Sequence, residues 1–120
     1  MYELIIRDQF SSAHYLRGYE GACEQLHGHT WKVEVAVQSD ELNSIGLVVD
    51  FKDLKKNLAK IMERWDHVCL NELPEFQNVN PSTENLARIL YQQFKSANPE
   101  LKIVHSRVWE SANASVKYSE

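Results

Sequence analysis

His27-Gly28-His29 is the sharpest chemical feature of the chain. On a strand, residues two apart project to the same face, so two imidazoles can converge on one ion. Gly28 between them allows close backbone approach. His14, at the end of the preceding apolar-alternating segment, supplies a third nitrogen if the two segments pair. Three neutral imidazoles leave a tetrahedral zinc with one open position, the pattern of a catalytic rather than a structural site. Affinity order alone does not pick zinc over copper or nickel, but availability and tetrahedral geometry favour it. Set against this, isolated His-x-His pairs also arise by chance on polar strand faces.

Cys23 lies four residues before His27. It reads in three ways: a fourth ligand that closes the site, a base beside an open site, or a small buried hydrophobe. A cation nearby but not bonded would favour its thiolate at neutral pH. Glu20, Gly21, Glu24 and Gln25 around it suggest a wet loop. Cys69, between Val68 and Leu70, reads as the buried hydrophobe. Asp66-His67 offers a carboxylate beside an imidazole, as a general acid–base pair requires. Locally it reads more readily as a histidine at a helix end meeting the dipole. Glu110, after Trp109, could accept two hydrogen bonds from a planar ring with adjacent N–H groups, or be an ordinary strand-end charge. His105 reads as structural. Arg17 and Lys32 lie near the histidines in sequence and could meet phosphates or water.

The elements that must hold these groups follow from periodicity. Residues 2–10 alternate as a half-buried strand, and residues 16–26 read as a loop. From His29 to Gln38 the alternation puts Trp31, Val33, Val35 and Val37 on one face, with Lys32, Glu34 and Gln38 on the other. Asn43-Ser44-Ile45-Gly46 is a turn and Leu47-Val48-Val49 a short strand piece. Asp50 caps a helix whose apolar face is Phe51, Leu54, Leu58, Ile61, Met62 and Trp65. Residues 66–81 are irregular. Ser82 or Asn80 caps a second helix with Leu86, Ile89, Leu90 and Phe94 inward, stopped at Asn98-Pro99. Leu101–Trp109 is a strand with Leu101, Ile103, His105, Arg107 and Trp109 on one face. A last strand carries Ala114, Val116 and Tyr118. The order strand, strand, helix, helix, strand, strand gives an α+β domain with two helices on one face of an antiparallel sheet.

One domain over residues 1–120 fits the length, the absence of internal repeats and the absence of a linker. A chain this short has little volume for an enclosed site, which favours a site built between subunits. The 43% hydrophobic and 25% charged content is that of a soluble globular protein. Net charge is −4 with no basic stripe, which argues against nucleic-acid binding. No apolar stretch approaches a membrane span, and residues 1–7 lack the zones of a signal peptide, so a cytoplasmic location is expected, with both cysteines reduced.

Five motifs in order resemble the 6-pyruvoyltetrahydropterin and 6-carboxytetrahydropterin synthase family. They are Cys23-x-x-x-His27-Gly28-His29, Gly46-Leu47-Val48-Val49-Asp50-Phe51, Asp66-His67-x-x-Leu70-Asn71, Asn80-Pro81-Ser82-Thr83-Glu84-Asn85-Leu86-Ala87 and Trp109-Glu110-Ser111. The resemblance runs from about residue 3 to residue 118. It implies a tunnelling fold: a four-stranded antiparallel sheet with two helices on one face, assembling as barrel-shaped trimers that stack into a hexamer. It implies Zn2+ on His14, His27 and His29, a catalytic Cys23, and an Asp66–His67 pair brought in by a neighbouring subunit. It also implies a pterin anchor at Glu110, with Ser82 and Thr83 against the ring. Leu47 stands where Met is common and Ser82 where Thr is common, which weakens the pterin contact at Ser82 and Thr83 without removing it. Three residues between Cys23 and the His-Gly-His resemble the bacterial carboxy branch of the queuosine pathway, whereas pyruvoyl enzymes commonly have a longer gap. A third branch has glutamate in place of this cysteine. The reaction so implied converts 7,8-dihydroneopterin triphosphate to 6-carboxy-5,6,7,8-tetrahydropterin, acetaldehyde and triphosphate without a redox cofactor. The alternatives are formation of 6-pyruvoyltetrahydropterin on the same fold and a non-catalytic zinc-binding module.

Overall fold

Apolar alternation produces two strands longer than the sequence pattern suggests. In the computed structural model, which describes residues 1–18 and 25–120, β1 spans Tyr2–His14 and β2 spans His27–Ser39. They pair antiparallel along their whole length, with Phe10 opposite Trp31 and His14 opposite His27. The expected strand ends at residues 10 and 29 fall short because Ser11–His14 and His27–Gly28 are polar or small. Ladder hydrogen bonds to the facing strand hold them extended regardless of that composition. Helix α1 (Phe51–Trp65) and helix α2 (Thr83–Ala97) lie between β2 and the closing strands β3 (Lys102–Ser111) and β4 (Ala114–Tyr118). The sheet order is β1-β2-β3-β4, all antiparallel.

Both helices are capped as the sequence predicts. The Asp50 side chain accepts from Lys52 N at 2.8 Å, and the Ser82 side chain accepts from Asn85 N at 3.1 Å. These caps satisfy N–H groups that the helix cannot. Asn80 instead clasps the backbone of Arg17 in both directions. Leu54, Leu58, Met62 and Trp65 of α1 and Leu86, Leu90 and Phe94 of α2 are buried against the sheet. Burying each contributes roughly 1.5–3 kcal/mol. Phe10 ties the layers together, stacked on Trp31 at 5.9 Å and edge-on to Trp65 at 5.5 Å. Phe51, counted above with the apolar face, is instead 50% exposed at the first turn.

Three expectations need correction. Leu47-Val48-Val49 is not a strand. Asn43 draws it into the preceding turn, accepting from Ile45 N and Leu47 N through Oδ1, while Gly46 takes φ 86°. The alternation read along β3 breaks at Val104, which the pairing of Ala36 with His105 and Val37 with Ile103 leaves as an extra residue. Such a bulge resets which side chains face the core. Ile103 and Val108 therefore share the core, and Ser106 donates to the Ala87 carbonyl of α2. Glu34, read as facing water, is buried on the helix-free side of the sheet. It accepts from His105 Nε2 at 2.8 Å and Arg7 Nε at 2.9 Å. Residues 66–81 are irregular as expected apart from two short 3-10 turns, Leu70–Glu72 and Pro74–Phe76. No helix among the described residues is long and apolar enough to cross a membrane.

Candidate active site

The β1–β2 register fixes the candidate site. His14, His27 and His29 lie on the helix side of the sheet at its end, with ring centroids 4.6–5.2 Å apart. Trp31 forms the floor, edge-on to His14 at 4.8 Å and to His29 at 5.0 Å. His14, His27, His29 and Glu110 each offer one ligand atom, all within 4.8 Å of one another.

The hydrogen bonds on the far side of the rings decide what the near side carries. His14 Nδ1 is 2.7 Å from the Pro81 carbonyl oxygen, and His27 Nδ1 is 2.7 Å from the Gln25 carbonyl oxygen. A carbonyl only accepts, so both Nδ1 atoms carry hydrogen. The two Nε2 atoms then face each other at 3.1 Å with their lone pairs. Two lone pairs at that separation repel unless a cation lies between them. Burial pushes the pKa of His14 and of His29 below the ordinary imidazole value, opposed at His14 by the Pro81 carbonyl and at His29 by Glu110. A proton is therefore the poorer cation at neutral pH, and a divalent metal the better one. His29 Nε2 is buried without a hydrogen-bond partner, which the same ion would resolve. The donor set thus fits a metal.

Glu110 sits at an irregular position of β3: Trp109 pairs with Ser115 and Ser111 with Ala114, so Glu110 is the extra residue of a second bulge. Two residues beyond the buried Val108, its carboxylate lies on the helix side. Oε2 accepts from Thr83 Oγ1 at 2.8 Å, and Oε1 lies 3.3 Å from His29 Nε2. Thr83 is the first residue of α2. The neighbouring Ser82 accepts the Asn85 N–H at the cap, which leaves its O–H proton and one lone pair.

Asp66 and His67 do touch, Oδ2 to Nδ1 at 2.8 Å. His67 takes φ 55°, in the left-handed region, and donates its N–H to the Ser11 carbonyl at 2.6 Å. Asp66 Oδ1 accepts from Ser11 N at 2.7 Å. That N–H, then the His67 ring, hold the Asp66 carboxyl below its usual range. The pair is thus clamped to the free edge of β1, with the His67 side chain 81% exposed, and neither residue belongs to the ligand group. Cys23 lies outside the described residues.

Arg17 and Lys32 separate clearly. Arg17 holds the irregular segment together through the carbonyls of Phe76 and Asn71. Lys32 lines a cavity of about 600 Å³ with Arg7 and Trp109, on the sheet face opposite the histidines. The roles of Pro81 and Gln25, which orient two imidazoles through backbone carbonyls, left no sequence signal, since any residue carries a carbonyl.

Comparison with known proteins agrees with this layout. The family model described as "PTPS: 6-pyruvoyl tetrahydropterin synthase" matches residues 3–120. A relative from Haemophilus influenzae named 6-carboxy-5,6,7,8-tetrahydropterin synthase is 30% identical, with all of both chains covered. One from Pyrococcus furiosus named dihydroneopterin monophosphate aldolase is 33% identical over 89% of this chain and 88% of that one. The structure of Caenorhabditis elegans 6-pyruvoyl tetrahydropterin synthase superposes with a TM-score of 0.90 at 23% identity, over 99% of this chain and 95% of that one. The chain belongs to the 6-pyruvoyl tetrahydropterin synthase family of enzymes.

Proposed function

We propose that the protein is a zinc-dependent 6-carboxy-5,6,7,8-tetrahydropterin synthase. In this reading it converts 7,8-dihydroneopterin triphosphate to 6-carboxytetrahydropterin, acetaldehyde and triphosphate, in the cytoplasm and on the route to queuosine. The observation that carries the metal dependence is the pair of Nε2 lone pairs turned on each other at 3.1 Å by carbonyls behind both rings. The relatives carrying the carboxy name, at 30–35% identity, favour that product.

His14, His27 and His29 would hold the ion. Zinc bound there supplies a Lewis acid that acidifies the substrate's side-chain hydroxyls and stabilises developing oxyanion charge. Glu110 would anchor the ring's N–H edge, steadied by Thr83. The Cys23 thiolate would take the side-chain proton, and His67, oriented by Asp66, would serve as the partnering acid or base. In one chain that pair sits on the open edge of β1, not at the triad. This supports a site completed by a neighbouring copy, in a barrel that joins the free edges of β1 and β4.

The test is one turnover assay with metal content measured alongside. Zinc at one equivalent and release of acetaldehyde are expected. Retention of the three-carbon side chain as 6-pyruvoyltetrahydropterin would move the protein to the pyruvoyl branch. Bound zinc with no turnover would leave a structural module. Cys23→Ala should keep zinc and lose turnover; loss of the metal would make Cys23 a ligand.

A further inference from the structure

The metal reading assigns three ligands, yet four electron-rich atoms are turned on one point. Glu110 Oε1 approaches His29 Nε2 at 3.3 Å, in a geometry that is not a hydrogen bond. His14 Nε2 and His27 Nε2 are separated by 3.1 Å. Zinc bonds of about 2.0–2.1 Å place tetrahedral ligands roughly 3.3–3.4 Å apart. Two edges of the group therefore already have the spacing of a coordination tetrahedron, and the whole group spans no more than 4.8 Å. Thr83 holds Oε2 from the other side, leaving Oε1 as the free donor. Glu110 shares the helix side of β3 with the buried Val108, which brings the carboxylate there.

We propose that Glu110 is the fourth metal ligand in the substrate-free protein, and that a pterin ring opens the site by drawing this carboxylate onto its own N–H edge. The inference rests on the metal reading given above. Paired recognition of a ring's two N–H groups needs both carboxylate oxygens. The ring therefore competes with the ion for Oε1, and swinging the carboxylate onto the ring's edge weakens its bond to the metal. Recognition of the ring then becomes the event that frees a coordination position, and small hydroxylated molecules without the ring meet a closed site.

Cobalt-substituted protein tests this through its visible d–d bands and through metal affinity by chelator competition. The probe is 6-methyl-7,8-dihydropterin, which has the ring but no side-chain hydroxyl to offer the metal. The wild-type bands should change on adding it. Glu110→Gln should hold cobalt about 10–100-fold more weakly, the range seen when a group supporting a metal site is lost. Its bands should differ from wild type before the probe is added and not respond to it. Glu110→Asp, which keeps the charge, should fold and lie between the two. Equal affinity and identical bands in wild type and both variants, with His29→Ala losing the metal, would overturn the inference and leave the metal site standing. Failure of the wild type to retain cobalt would overturn the metal site itself.

Discussion

Histidine does opposite things at two places in the sheet. At the sheet end, His14, His27 and His29 face one another, with the outward nitrogens of His14 and His27 tied to carbonyls and the inward Nε2 of His29 buried unpartnered. At mid-sheet, on the opposite face, His105 meets Glu34 at 2.8 Å, and Arg7 adds a cation at 2.9 Å from the same carboxylate. The second group carries its own counter-charges in Arg7 and Glu34, and only His105 Nδ1 within it is buried without a partner. The first is a cluster of like donors, stable only with something added. The residue type and the sheet are the same, and the difference lies in what the register places beside each imidazole.

The strongest way to break the contrast is to remove one imidazole from each group. His29→Ala should lose the metal and reduce turnover more than about 10³-fold, while His105→Gln should keep the metal; atomic absorption with the turnover assay reads both. Loss of metal from the His105 variant would mean that the two groups are not independent. Next in size, His67→Ala should reduce turnover by about 10²–10³-fold with metal content unchanged, since it removes an acid–base group and no ligand. Unchanged kcat would remove the pair from the reaction. Glu34→Ala should cost about 2–4 kcal/mol in urea unfolding, because it strips a buried network of its anion. A stability change below half a kcal/mol would show that His105 and Arg7 find water instead.

The smallest effect sharpens the same point at a third carboxylate. Burial pushes Glu75 up, but hydrogen bonds from Arg64, Gln93 and Trp65 outweigh it and hold the group at about 2. A carboxyl whose folded pKa is depressed stabilises fully above its unfolded value near 4.5 and loses that contribution as pH falls through about 2. Glu75→Gln should therefore cost roughly 1–2 kcal/mol at pH 7, discounted for the exposed Arg64, with the gap to wild type closing between pH 4.5 and 2. A gap that widens on acidification would contradict the assignment.

The sheet-and-helix layout was legible because its signals are local. Trp31 to Val37 alternate with period two, and Leu54 to Trp65 recur at helical spacing behind an aspartate cap. The histidine pair was legible for the same reason. Its third member depended on a register that only pairing sets. The bulges at Val104 and Glu110 were not legible, because an extra residue in one strand is defined only against its partner. Glu34 misled for a related reason: one strand's pattern does not show that Arg7 and His105 flank it. The contact between Asp66 and His67 was open in the sequence. It depends on His67 adopting a left-handed backbone, whose N–H the Ser11 carbonyl of β1 accepts.

The unbroken ladder from Tyr2–Ser39 to His14–His27 has an evolutionary consequence. Strand parity is binary, so deleting or inserting one residue anywhere between Glu3 and Ser12 would send His14 through the sheet to the other side. Substitutions at exposed positions of β1 leave this register as it is, whereas a change in its length does not.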